Sequence, residues 1–116
     1  MAGRVLSFFS KQLRAGSSGA SGIYYSEVFE VPAINKIIAE FRVHTISGGN
    51  SVTGVIQDSF DPTNDAAWND ALTFTSSTLT GAKNSISDFQ RFIRGKLSLP
   101  PGNYSTISFD GIGREL

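Results

Sequence analysis

Cysteine is absent from the 116 residues, which excludes disulfides and thiolate metal sites and leaves side-chain packing to hold any fold together. Histidine and tryptophan each occur once, so a multi-histidine metal centre is out of reach. No excess charge of either sign exists: ten basic and ten acidic residues cancel, and a neutral molecule has no overall field to draw it to nucleic acid or an anionic membrane. Long hydrophobic runs are missing too, with no stretch of about 18 apolar residues. Lys11, Gln12 and Arg14 interrupt the N-terminal apolar residues before a secretory core forms. The expectation is a soluble chain that leaves a cell only by lysis or as part of a particle. Also lacking are a phosphate-cradling glycine loop, a paired-carboxylate signature, a nucleophile elbow and a His-Glu-x-x-His motif. These absences predict a protein that is not an enzyme and holds no cofactor.

What is present is enough apolar material for one core. Hydrophobic residues make up 40% of the chain and charged residues 17%, with nine Phe, a balance that suits a single folded domain of this length. Residues 37–72 carry the strongest pattern. Ala39, Phe41, Val43 and Thr45 fall on one face of an extended segment and Glu40, Arg42 and His44 on the other, the period-two signature of a half-buried strand. Ser47-Gly48-Gly49-Asn50 follows, and its glycines accept positive φ, which predicts a hairpin returning through residues 52–59. A second hairpin is expected from Arg91, Ile93, Gly95, Leu97 and Leu99 alternating with Phe92, Arg94, Lys96 and Ser98. It would turn at Pro100-Pro101-Gly102-Asn103 into a strand bearing Ile107 and Phe109. Residues 23–31 read as extended up to Pro32, residues 66–70 as one helical turn, residues 72–75 as a short strand, and residues 76–87 as a loop with a strand edge near Leu79. Residues 4–13 suit either a first strand or an arm that orders against a neighbour, and residues 15–22 form a Gly/Ser loop. The predicted fold is an all-β antiparallel sandwich, jelly-roll or Greek-key like, of about seven to eight strands. Residues 1–22 are its arm and loop, and residues 23–116 its sandwich domain.

Three groups of residues invite chemistry. His44 lies on the polar strand face beside Arg42 and Glu40, where a paired surface histidine explains it without catalysis. Asp58, Asp61 and Asp65, with Asn64, Asn69 and Asp70, form the densest oxygen cluster, and Asp58, Asp61 and Asp65 are the calcium candidates. The spacing is not that of an EF-hand and no Glu closes the loop, so turn formation around Pro62 accounts for the same residues. Trp68 with Tyr24, Tyr25 and Tyr104 offers rings on which a sugar could stack, although Ala67 and Leu72 nearby favour a Trp that caps the core. Arg91, Arg94 and Lys96 form a small basic patch that suits a solvated face or a salt-bridged subunit contact better than a phosphate track.

The order of segments resembles small β-sandwich structural proteins of tailed bacteriophages, including capsid decoration proteins. The resemblance rests on Gln57-Asp58-Ser59 ending a strand, the acidic turn of residues 61–68 before Trp68, and Arg91-Phe92-Ile93-Arg94 opening a late strand. It covers residues 23–112. It implies a virion structural protein that decorates or stabilises a capsid surface, assembles in the host cytoplasm, and contacts the major capsid protein or other virion subunits as a homo-oligomer. Leu6, Phe8, Phe9, Leu13 and Arg14 of the arm are then the expected subunit contacts. The alternatives are a carbohydrate-binding or adhesion module and a phage tail or head-completion component.

Overall fold

A computed structural model describes residues 3–15, 22–32, 34–46, 51–76, 80–100 and 104–115. Nine strands fill it: β1 (Gly3–Ala15), β2 (Gly22–Tyr25), β3 (Phe29–Glu30), β4 (Ile34–Ile46), β5 (Val52–Ser59), β6 (Asn69–Ser76), β7 (Thr80–Ile86), β8 (Phe92–Leu99) and β9 (Tyr104–Glu115). Every pairing is antiparallel. One sheet has the order β1-β9-β4-β7 and the other β2-β8-β5-β6, with β3 also on β8. Strands β2 and β3 are two pieces of one edge: between them Ser26 N donates to Gly95 O at 2.9 Å and Gly95 N donates to Ser26 Oγ at 2.7 Å. Counting that edge once leaves eight strands, four per sheet, in the interleaved order of a jelly roll. The sandwich expected from the alternation is therefore the fold.

Both expected hairpins are corrected by this order. Strand β4 pairs with β7 and β9, whereas β5 pairs with β6 and β8. The chain after Ile46 therefore crosses from one sheet to the other. Likewise β8 and β9 lie in opposite sheets. A glycine-rich reversal permits either a hairpin or a crossover, and what decides is that each strand has one apolar face to bury against the opposing layer. The segment read as a loop over residues 76–87 contains β7, paired along its length with β4; Leu79 lies outside the described residues. The expected helical turn is a 3-10 turn, Asp65–Ala67, N-capped by Asn64, and Asn69 and Asp70 already belong to β6.

Of the two readings of residues 4–13, the first strand is the one found, and the arm is corrected to it. Leu6, Phe8 and Phe9 are buried, and β1 pairs with β9 from Gly3 to Ala15. Two adjacent phenylalanines can both point inward because the register slips between Ser7 and Phe9 and again between Phe9 and Gln12, as a β-bulge allows. Opposite them stands Gly95 of β8, where a Cβ would come within 2.7 Å of Phe8 Cβ. The residues named as subunit contacts are thus spent inside the chain; the side chains of Leu13 and Arg14 lie outside the described residues. Between the sheets, Phe109 meets Phe8, Phe41 and Phe74 at centroid separations of 5.2, 5.5 and 5.8 Å. Burying each such ring contributes about 1.5–3 kcal/mol, and the near-perpendicular pairs add edge-to-face contact.

Candidate functional site

The strand order gathers the β3–β4, β5–β6 and β7–β8 connections at one end of the sandwich, the first and third crossing between sheets and the second joining neighbours in one sheet. They border an open groove of about 870 Å3, lined by Val31, Pro32 and Ile34 on one side, Asp58, Phe60, Asn69, Asp70 and Ala71 on another, and Asp88, Phe89, Gln90 and Arg91 on the third. Apolar and polar walls alternate around it.

Each wall is held by a specific contact. Asp58 is buried and its Oδ2 accepts from Gln90 N at 3.0 Å, which ties the β7–β8 connection to β5. Val31 N donates to Arg91 O at 2.8 Å, and Arg91 Nε donates to Glu30 Oε2 at 2.6 Å. In the β5–β6 connection, Ser59 Oγ donates to Asp61 O and accepts from Asp61 N, both at 3.0 Å. Asp61 Oδ1 accepts from Thr63 N at 3.1 Å and Thr63 Oγ1 at 2.7 Å, and Asn64 Oδ1 accepts from Ala66 N at 3.0 Å. This self-bonded loop leaves Phe60 at the groove wall with 75% of its surface exposed. Three carboxylates face one guanidinium that Glu30 already engages, so the groove favours donors over acceptors.

A second cluster adjoins the groove on the outer face of the β2-β8-β5-β6 sheet. Asp70 Oδ1 accepts from Gln57 Nε2 at 2.9 Å, and Gln57 Oε1 accepts from Arg94 Nε at 2.9 Å. The Arg94 guanidinium is stacked between two rings, 4.1 Å from the Tyr25 centroid and 4.3 Å from that of Trp68. A planar cation between two aromatic faces gains from both quadrupoles. Trp68 is 9% exposed and stands apart from the main core cluster. It is buried, as its apolar neighbours suggested, and presents no free face to a sugar, although Arg94 rather than the main core cluster lies against its ring.

The expected site residues separate accordingly. Of Asp58, Asp61 and Asp65, only Asp58 lines the groove; Asp61 is engaged in its own turn, and Asp65 opens the 3-10 turn. Among the described residues no three His, Asp or Glu side chains are grouped to hold a metal ion. Tyr25 and Trp68 come together around Arg94, while Tyr24 packs against the core and Tyr104 sits on β9 in the other sheet. His44 Nε2 lies 3.0 Å from Ser108 Oγ on the outer face of β4 and β9, a cross-strand pair on a flat sheet, away from the groove. Of the basic patch, Arg91 forms a salt bridge within the chain, to Glu30, and Arg94 forms the stack. Phe60, Asp88 and Gln90 escaped the sequence reading. Their signal is positional, since they sit in alternate connections of a jelly roll, and the strand order that unites those connections is not written in local pattern.

No protein-family model matches the chain, and no curated protein matches it. Among solved structures it is similar to PirA, with a TM-score of 0.54 at 10% identity over 89% of this chain and 91% of that one. It is also similar to the CBM36-1 domain of a multidomain xylanase from the hindgut metagenome of Trinervitermes trinervoides, with a TM-score of 0.48 at 11% identity over 99% of both chains. At these identities the likeness is one of fold.

Proposed function

We propose that this chain is a non-catalytic binding module whose groove takes a carbohydrate. The observation that carries the reading is Phe60: a large ring, mostly exposed, held at the rim of a groove that also presents Asp58, Asn69, Asp70, Asp88, Gln90 and Arg91. A sugar has an apolar C–H face and a rim of vicinal hydroxyls. The first suits an aromatic platform and the second suits carboxylate and amide oxygens fixed in place before the ligand arrives. Here Gln57 fixes Asp70 and Gln90 N fixes Asp58, so little ordering cost remains for binding. An open groove fits a segment of a chain of sugars better than a small enclosed molecule.

Glycan-array screening followed by calorimetry on the hits tests this. Phe60→Ala is expected to weaken binding at least about tenfold, the equivalent of 1.4 kcal/mol, with the melting temperature unchanged. A protein that binds no glycan at millimolar concentration, or a Phe60→Ala variant that binds as well as the parent, would overturn it. A particle-stabilising role, implied by the phage resemblance, is the second reading. Its expected contacts Leu6, Phe8 and Phe9 are buried, and the surface that favours it instead is the exposed apolar pair Val5 and Ile112 on the other sheet.

A further inference from the structure

Across the outer face of the β1-β9-β4-β7 sheet, one row of residues is apolar where solvent-facing rows are ordinarily polar. Val5 of β1 is paired with Ile112 of β9, and Ile112 with Ile38 of β4. Val5 is 73% exposed and Ile112 50%, and Ile38 is half-buried. The rows on either side are charged and opposite in sign. Two residues along each strand one way, Arg114 is paired with Lys36; two residues the other way, Asp110 is paired with Glu40. Both central strands therefore carry an acid, an isoleucine and a base in register: Asp110, Ile112 and Arg114 on β9, Glu40, Ile38 and Lys36 on β4. On the outer strands the row of Asp110 and Glu40 continues to neutral Ser7 on β1 and to a base, Lys83, on β7, so the acidic character belongs to the two central strands.

We infer that this face binds a second copy of the chain, as a two-fold dimer whose axis lies in the interface along the Val5, Ile112 and Ile38 row. The charge pattern selects both the partner and the orientation. Rotation about that axis keeps each strand over its own copy and exchanges the rows, so Arg114 meets Asp110 of the partner, Lys36 meets Glu40 of the partner, and the apolar row lies on itself. The other in-plane two-fold axis, along the strands, sets base on base and acid on acid, and like charges so juxtaposed reject that mode. The selected rotation also runs stacked strands antiparallel, which suits the aligned packing of one sheet on another at about 10 Å. An isologous contact of this kind requires a self-complementary patch, and an acid-apolar-base triplet repeated in register on adjacent strands is one. Within each chain the acids are held in position: Asp110 Oδ1 accepts from Ser7 Oγ at 3.1 Å, and Glu40 Oε1 accepts from Arg42 at 3.1–3.2 Å. Among the described residues Lys36 and Arg114 form no ion pair.

Sedimentation velocity of the full chain at micromolar concentrations and low salt tests the inference, with circular dichroism to confirm folding. The parent is expected to sediment at twice the chain mass and to shift towards monomer in high salt, and Ile112→Asp to sediment as a monomer. Two charge-reversed variants supply the decisive arm. Lys36→Glu with Arg114→Glu makes both flanking rows acidic on the two central strands, and Glu40→Lys with Asp110→Lys makes both basic there; each alone is expected to be monomeric, and an equimolar mixture to form a one-to-one heterodimer. A monomeric parent, a charge-reversed variant that still dimerises, or a mixture that stays monomeric would each overturn the proposal.

Discussion

Replacing Arg94 by Met removes the planar cation from between Tyr25 and Trp68 while keeping a side chain of similar length over the same surface. Three contacts disappear: the stacks at 4.1 and 4.3 Å and the 2.9 Å hydrogen bond to Gln57. A cation–π contact is worth about 0.5–1 kcal/mol where exposed and about 2 where desolvated, and a hydrogen bond from a charged donor about 1.5–3 kcal/mol. Part is offset by the apolar contacts of the methionine stem, and part is increased because buried Gln57 Oε1 loses its donor. The net expectation is about 2–3 kcal/mol of lost stability. At roughly 4 °C per kcal/mol for a domain of this length, that lowers Tm by about 8–12 °C. Arg94→Lys should fall between, since it restores charge without the plane. Thermal melting by circular dichroism gives the stability. Tryptophan emission gives an independent readout, because the single Trp68 loses the cation over its ring and its spectrum should move to longer wavelength. An Arg94→Met protein that melts within about 2 °C of the parent, about 0.5 kcal/mol on the same scale, with unshifted emission, would refute the stack as a structural element.

Gly54→Ala should be destabilising by about 1–3 kcal/mol from overpacking, less about 0.4–1 kcal/mol regained from the unfolded chain. The new methyl would approach Phe41 Cδ1 to 2.6 Å, and that ring is hemmed in by Phe74 and Phe109. Chemical denaturation measures it, and the comparison is Gly81→Ala, whose nearest neighbour is the guanidinium end of Arg42 at 3.0 Å and can move aside. Asp58→Ala deletes the acceptor for Gln90 N, so about 1–3 kcal/mol should be lost and hydrogen exchange at Gln90 should quicken selectively. Millimolar calcium should leave the melting temperature where a chelator leaves it, because Asp61 already serves Thr63 and Asp58 serves Gln90. A rise of several degrees would show native-state binding instead.

Much of the sandwich was legible because period-two alternation survives wherever a strand has one wet face. Ala39, Phe41 and Val43 are buried as read, and so are Ile93, Leu97 and Leu99. What failed was whatever depends on partners distant in sequence. Strand β1 looked like an arm because bulges place Phe8 and Phe9 inward together, a pattern that matches neither strand nor helix by spacing. Strand β7 looked like a loop because Gly81, Asn84 and Ser85 suit an edge that packs little; pairing with β4 and the contacts of Ala82 and Ile86 with the core order it. The groove shared that fate: Asp58 was noticed as part of an acidic run, yet its companions Asp88 and Gln90 lie some thirty residues on, joined to it only through the strand order. Trp68 was read from its chain neighbours, when the residue that explains it is Arg94, on another strand.

The position of β9 between β1 and β4 has a consequence in time. On a ribosome the phenylalanines of β1 emerge first, while Phe109, the ring they pack against, emerges last of the core residues. One sheet therefore cannot close until nearly the whole domain has been synthesised. Until then Leu6, Phe8 and Phe9 stay in search of cover, the kind of exposed apolar surface that invites aggregation and chaperone capture. Folding of this chain is in that sense a single late event, and a change that slows the docking of β9 would lower the yield of folded protein before it changed the stability of what had folded.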